Sequence, residues 1–206
     1  MTRQKYTGFL MPLRRFAGRS DGVAMIEFAA LAPLMAIMAL GTFEVGRGVV
    51  VHKRFQRAVA MVGDLVAREQ VLKTTIPEAQ DELAGIMRAA EHVIWPYDIA
   101  PLRIGVMQIF APAANPNNTS IVWRYQHHSM SIPSCGSNKS MPATGMIVGN
   151  SYAILVEAEY QYTPLLENFF PVDLTNKPFR DTVSNSPRNN CVQYASRACN
   201  AACPTP

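Results

Sequence analysis

The chain has 206 residues, 49% of them hydrophobic and 17% charged. That balance excludes a disordered chain and a multi-span transporter, and it leaves room for one modest domain plus an anchor. The formal net charge of +4 is confined to one place: Arg3, Lys5, Arg14, Arg15 and Arg19 against Asp21 give residues 1–22 the whole +4, so everything from Val23 onward sums to zero. Charge gathered ahead of an apolar run is topology information rather than a DNA footprint, and no nucleic-acid partner is expected.

Residues 1–22 also contain Gly8, Pro12, Gly18 and Gly22, which argues against a stable helix there. From Val23 the pattern changes. Residues 23–46 carry only two charges, Glu27 and Glu44, with a charge-free run between them. With its flanks this run is long enough for one transmembrane helix, N-terminus inside by the positive leader. Arg47, Lys53, Arg54 and Arg57 weaken that orientation argument, because they put positive charge on the far flank as well. A cleavable secretory signal fits less well, since no small-x-small site ends the run.

Beyond the apolar run, Val51, Phe55, Val59, Val62 and Val66 recur at steps of three and four. This predicts an amphipathic extension, so that one helix of roughly 70 Å runs from Val23 to about Glu69. The domain boundaries expected are a leader at 1–22, a membrane helix at 23–46, a helical extension at 47–75 and an extracytoplasmic domain at 76–206. Pro77 and the stripe Leu83, Ile86, Met87, Ala90, Ile94 predict a second helix over 78–94. Alternating β-branched and aromatic residues predict strands at 102–110, 121–130 and 152–162, forming an antiparallel sheet. The segments between them are rich in Pro, Asn, Ser and Gly and read as loops, and from Asn176 the chain reads as polar and turn-rich. The fold class expected is α+β: a long N-terminal helix feeding a small domain with a helix and an antiparallel sheet.

Chemistry-bearing motifs are sparse. The sequence has no Gly-x-Ser-x-Gly, no phosphate-cradling Gly-rich loop and no His-Glu-x-x-His, so neither catalysis nor a cofactor is expected. His127 and His128, adjacent on a predicted strand, should point to opposite faces and share no metal. Glu157 and Glu159 share a strand face and read as a solvated surface. The aromatic stretch 160–171 reads as core. Cys135, Cys191, Cys199 and Cys203 could form up to two disulfides outside the cytoplasm, with three pairings open.

One carboxylate calls for an explanation. Glu27 lies in an apolar run, where an ionisable side chain costs about 2.5–3.5 kcal/mol on insertion scales. Cleavage between Gly22 and Val23 would create an α-ammonium four residues away, near one helical turn, and a neighbouring subunit's glutamate could meet it. Gly22 followed by "VAMIEFAALAPLM", with Glu27-Phe28-Ala29, Pro33 and the "GTFEVGR" of residues 41–47, resembles the TadE-like pseudopilins of tight-adherence (Tad/Flp) pilus systems. The resemblance covers about residues 15–60, with weaker echoes in "EYQYTPLL" at 159–166 and "SPR" at 186–188.

What the resemblance implies is a pilin-like fold and a bitopic inner-membrane protein with its C-terminal domain in the periplasm. It would be processed by a prepilin peptidase at Gly22 and Val23 and would support pilus assembly or secretion. Glu27 would be the assembly glutamate, beside Phe28. Partners would be the peptidase, other pilin or pseudopilin subunits, the assembly platform and membrane lipid. Ala29, Ala32, Ala36 and Ala39 form a small-residue stripe of the kind that lets helices approach closely, with Pro33 a candidate kink. The alternative from another class is an unprocessed single-span anchor carrying a periplasmic binding or hydrolytic domain.

Overall fold

The computed structural model describes residues 21–141, 145–165, 178–200 and 203. The leader therefore lies outside the described residues except for its last two positions, as do residues 166–171 of the aromatic stretch. The chain divides into two compact units, Met1–Gly46 and Arg47–Pro206.

Helix α1, Asp21–Arg68, is unbroken over 48 residues and passes through Pro33. Over residues 23–43 of the first unit it is apolar but for Glu27 and Thr42, and most of its side chains are exposed. Met25 is 76% and Phe28 67% exposed. The core helix of a water-soluble domain would have its apolar stripe covered, and this one does not. Over residues 21–46 it is about 39 Å long at 1.5 Å per residue, enough for a hydrocarbon layer of about 30 Å. It fits a single-pass membrane anchor.

In the second unit the same helix becomes amphipathic. Val51, Phe55, Val59, Val62 and Val66 are all buried, as their spacing predicts. The helix stops at Arg68 and does not reach residue 75. It is followed by a two-residue strand β1, Val71–Leu72, and a left-handed Lys73 (φ 46°). Helix α2, Ile76–Ile94, starts two residues ahead of the expected position. Proline occupies its first turn, where a backbone donor is not needed. It buries Ala79, Leu83, Met87, Ala90 and Ile94, and Ile86 is only half covered.

The main sheet has five antiparallel strands in the order β4-β3-β2-β5-β6. They are β2 (Leu102–Ala111), β3 (Asn118–His127), β4 (Asn138–Ser140), β5 (Ser151–Tyr160) and β6 (Phe179–Asn185). The three central strands lie within a few residues of their predicted positions. The short β4 and the whole of β6 correct the expectation of loops there. β6 is an edge strand with polar side chains, and its pairing with β5 supplies what its composition does not.

Both faces of the central strands are covered. Leu102, Ile104, Val106, Ile154, Val156 and Ala158 pack with α1 and α2 in one core. Met107, Ile109, Ala153 and Leu155 form a second core with Met130, Ile132, Met141 and Ile147 of the following loops. That is why Leu155 and Val156, on opposite faces, are both buried. Gly105 makes the close approach possible: a side-chain carbon there would collide with Ile132 and lie 3.2 Å from Met130 Cγ. Each fully buried aliphatic or aromatic side chain contributes about 1.5–3 kcal/mol relative to exposure.

A second, two-stranded sheet pairs β1 in parallel with β7, Gln193–Tyr194. It joins the segment just after α1 to one near the end of the chain. The segment from Asn176 is thus not merely a polar tail.

Candidate functional site

The residues singled out for processing and assembly all lie on the exposed apolar part of α1. Gly22 and Val23 are at its described start, and Glu27 is one turn further on, solvent-exposed. Residues 23 and 27 are four apart on one helix and so share a face. Phe28, Ala29, Ala36 and Ala39 are exposed and Ala32 is half covered, while Pro33 sits within continuous helix. At the other end of the run Glu44 is buried, at 6% exposure. The helix therefore presents a carboxylate one turn from its first residue, followed by sixteen positions without a charge.

Residues 22–64 match the TadE-like protein family model.

The match associates the chain with Tad pilus systems, and it covers the apolar run together with most of the amphipathic half of α1. No curated protein and no solved structure matches the chain. The matched segment ends at Asp64, two residues after the buried Val62 of the second unit's core. At Gly63 a side-chain carbon would meet Asn185 Oδ1 and lie 3.5 Å from Val156 Cγ2, so this glycine lets α1 sit close on the sheet.

Two of the basic residues after the apolar run, Arg47 and Arg54, have aromatic partners. The Arg47 guanidinium lies 5.7 Å from the Tyr97 ring centre and 5.6 Å from that of Tyr162, and Arg54 lies 5.7 Å from Tyr97. Arg54 also donates to the Trp95 carbonyl. Tyr162 stacks on Phe179, which in turn meets His52 edge-on. Arg47 and Arg54 thus hold the helix to aromatic faces.

The cysteines form Cys135–Cys203 and Cys191–Cys199, with Cα separations of 5.8 and 6.3 Å that suit a disulfide. Sequence had left the pairing open. Between them the chain is clamped at Val192, which is fully buried. Val192 N–H donates to Gln108 Oε1 at 2.7 Å, and Trp123 Nε1–H donates to the Val192 carbonyl at 3.0 Å. Trp123 also stacks on Tyr194. Sequence reasoning missed this clamp. Its one signal was a glutamine in the middle of the apolar β2, where an amide needs a buried partner.

Glu157 and Glu159 do share a face. Lys139 pairs with Glu157, and Arg180 Nε lies 2.9 Å from Glu159 Oε1. Both carboxylates are thus tied to cations. Tyr160, expected in the core, is buried and donates to the Asp98 carbonyl at 2.9 Å, and burial pushes its phenol pKa up. At the start of α2, Thr75 and Thr74 hydroxyls donate to Glu78 Oε2 at 2.9 and 3.1 Å and hold its carboxyl below the usual range.

The histidine expectation is overturned. β3 ends at His127, and His128 and Ser129 adopt left-handed backbone angles (φ 48° and 56°). The strand alternation fails at that step, and the two imidazoles stack with ring centres 4.0 Å apart. His127 lies on the helix-facing side, where its Nε2 is 2.8 Å from Glu91 Oε1 on α2.

Proposed function

We propose that this chain is a minor pilin or pseudopilin of a Tad/Flp-type pilus, processed by a prepilin peptidase between Gly22 and Val23 and acting in assembly or secretion of the fibre. The observation that carries the reading is the TadE-like match, which begins at Gly22, the residue before the proposed cut. The geometry of α1 supports it. Cleavage would place a new α-ammonium at Val23 one turn from Glu27, and the apolar helix around that pair is exposed among the described residues. In a low-dielectric layer each charge needs a partner, and a neighbouring subunit offering the same two groups supplies both in register.

On this reading the chain resides in the inner membrane as a single-pass protein with its second unit in the periplasm, an oxidising compartment suited to its disulfides. Its partners are the peptidase, other pilus subunits and the assembly platform. The role is structural rather than catalytic. The test is the N-terminus of the protein purified from its native membrane, by intact mass and terminal peptide sequencing. A start at Val23 is expected; a start at Met1 or Thr2 would refute processing and return the chain to a simple anchor.

A further inference from the structure

We propose that Glu91, His127 and His128 form a binding site for a divalent transition-metal ion of the zinc class. One carboxylate oxygen and one ring nitrogen from each histidine lie within 4.8 Å of one another. His127 Nε2 is 2.8 Å and His128 Nε2 is 3.7 Å from the same oxygen, Glu91 Oε1. Around a tetrahedral ion with metal–nitrogen distances near 2.0–2.1 Å, neighbouring donors stand about 3.4 Å apart. The two separations from Glu91 Oε1 fall on either side of that value, each within well under an ångström of it, and the two ring nitrogens lie within 4.8 Å of each other.

The second histidine distinguishes this cluster from an ordinary ion pair. His127 against Glu91 alone would be a latch between the end of β3 and α2. His128 adds a second imidazole on the same carboxylate oxygen, and it reaches there only through a left-handed turn. Its Nδ1 lies 2.8 Å from the Leu102 carbonyl. A carbonyl only accepts, so Nδ1 carries a hydrogen, and Nε2 is the nitrogen left to serve as a metal ligand. A backbone carbonyl fixing the tautomer of a ligand histidine is the usual support of a metal site. In the metal-free protein His127 donates Nε2–H to the carboxylate; with an ion bound that nitrogen becomes a ligand and the hydrogen resides on Nδ1.

The donor set, two imidazoles and one carboxylate, suits zinc and its neighbours rather than calcium or magnesium. Side-chain exposure is 15% for Glu91, 15% for His127 and 41% for His128, so the site is enclosed on the helix side and open past His128. Three protein donors leave a position for water.

The test uses the full chain in detergent, without a histidine tag, stripped with chelator and then dialysed against Zn²⁺. Elemental analysis should find zinc equimolar with protein, and Co²⁺ in its place should give the strong visible absorption of a four-coordinate site. Because His127 is half-buried, the discriminating variants are the milder His128→Ala and Glu91→Gln, with folding checked by circular dichroism. Each should lose stoichiometric zinc and the cobalt band while staying folded, and His92→Ala should keep both. Sub-stoichiometric zinc in the native chain, or zinc retained by folded His128→Ala and Glu91→Gln, would overturn the assignment.

Discussion

The two disulfides enclose very different lengths of chain, and that difference sets a testable order of stability. Cys135–Cys203 closes a separation of 68 residues and Cys191–Cys199 one of 8. In the chain-entropy treatment, the first constrains the unfolded state by about 4.4 kcal/mol and the second by about 2.5 kcal/mol at 25 °C. The perturbation is replacement of each pair by alanine. Cys191 is buried, so its truncation adds roughly 0.8 kcal/mol of lost burial for one heavy atom, which narrows the gap to about 1 kcal/mol without reversing it. Urea unfolding of the detergent-solubilised chain, followed by the fluorescence of the buried Trp123, should place the Cys135→Ala/Cys203→Ala midpoint below that of Cys191→Ala/Cys199→Ala. Non-reducing peptide mapping checks the pairing beforehand. A reversed order, or a peptide linking Cys135 to Cys191 or Cys199, would refute the reasoning.

Gln108→Leu leaves the Val192 N–H buried without its acceptor, so it should cost about 1–3 kcal/mol in urea unfolding and make the segment around residue 192 more open to limited proteolysis. Gly105→Ala should destabilise by about 1–3 kcal/mol through overpacking against Ile132 and Met130; combined with Ile132→Ala, the loss should be smaller than the sum of the single losses. The Glu78 carboxyl is held down by the Thr75 and Thr74 hydroxyls, so the support it gives α2 is complete above its unfolded value and disappears as pH falls through its lower folded value. A carbon NMR titration should place it below a free glutamate, and Thr74→Ala/Thr75→Ala should bring it back. Under the proposed function, Glu27→Gln should leave cleavage intact but reduce piliation, as counted by electron microscopy, whereas Gly22→Leu should block maturation.

The long helix and the three central strands were legible because their periodicity is strong. Val51 to Val66 follow the helical step, and both residues of each apolar pair in β5 find a core. The rest depended on partners distant in sequence. Phe179–Asn185 is a strand only because β5 lies beside it, with Arg180 set against Glu159. The second core could not be read from alternation, since loop residues Met130, Ile132, Met141 and Ile147 cover a face that alternation alone would leave to solvent. At the candidate sites, Gly22, Val23 and Glu27 stood out as a motif on one helix. The Glu91–His127–His128 cluster was hidden because two left-handed residues break the alternation from which opposite faces were inferred. The clamp on Val192 joins positions 84 residues apart, a distance over which spacing carries no signal.

The β1–β7 pairing has a consequence for the order in which the molecule can be made. Val71 meets Gln193 and Leu72 meets Tyr194, so the strand nearest α1 is completed by a segment synthesised more than a hundred residues after it. Contacts of such long sequence separation form late and slowly. A nascent chain that has already produced its helices and most of its sheet still lacks the piece that fills in beside Trp123 and Gln108. Until that piece emerges, Trp123 lacks Tyr194 and the Val192 carbonyl, and that side of the first core stays uncovered. Truncation just before residue 186 should therefore trap the protein in that unfinished form rather than trim an ornament from it.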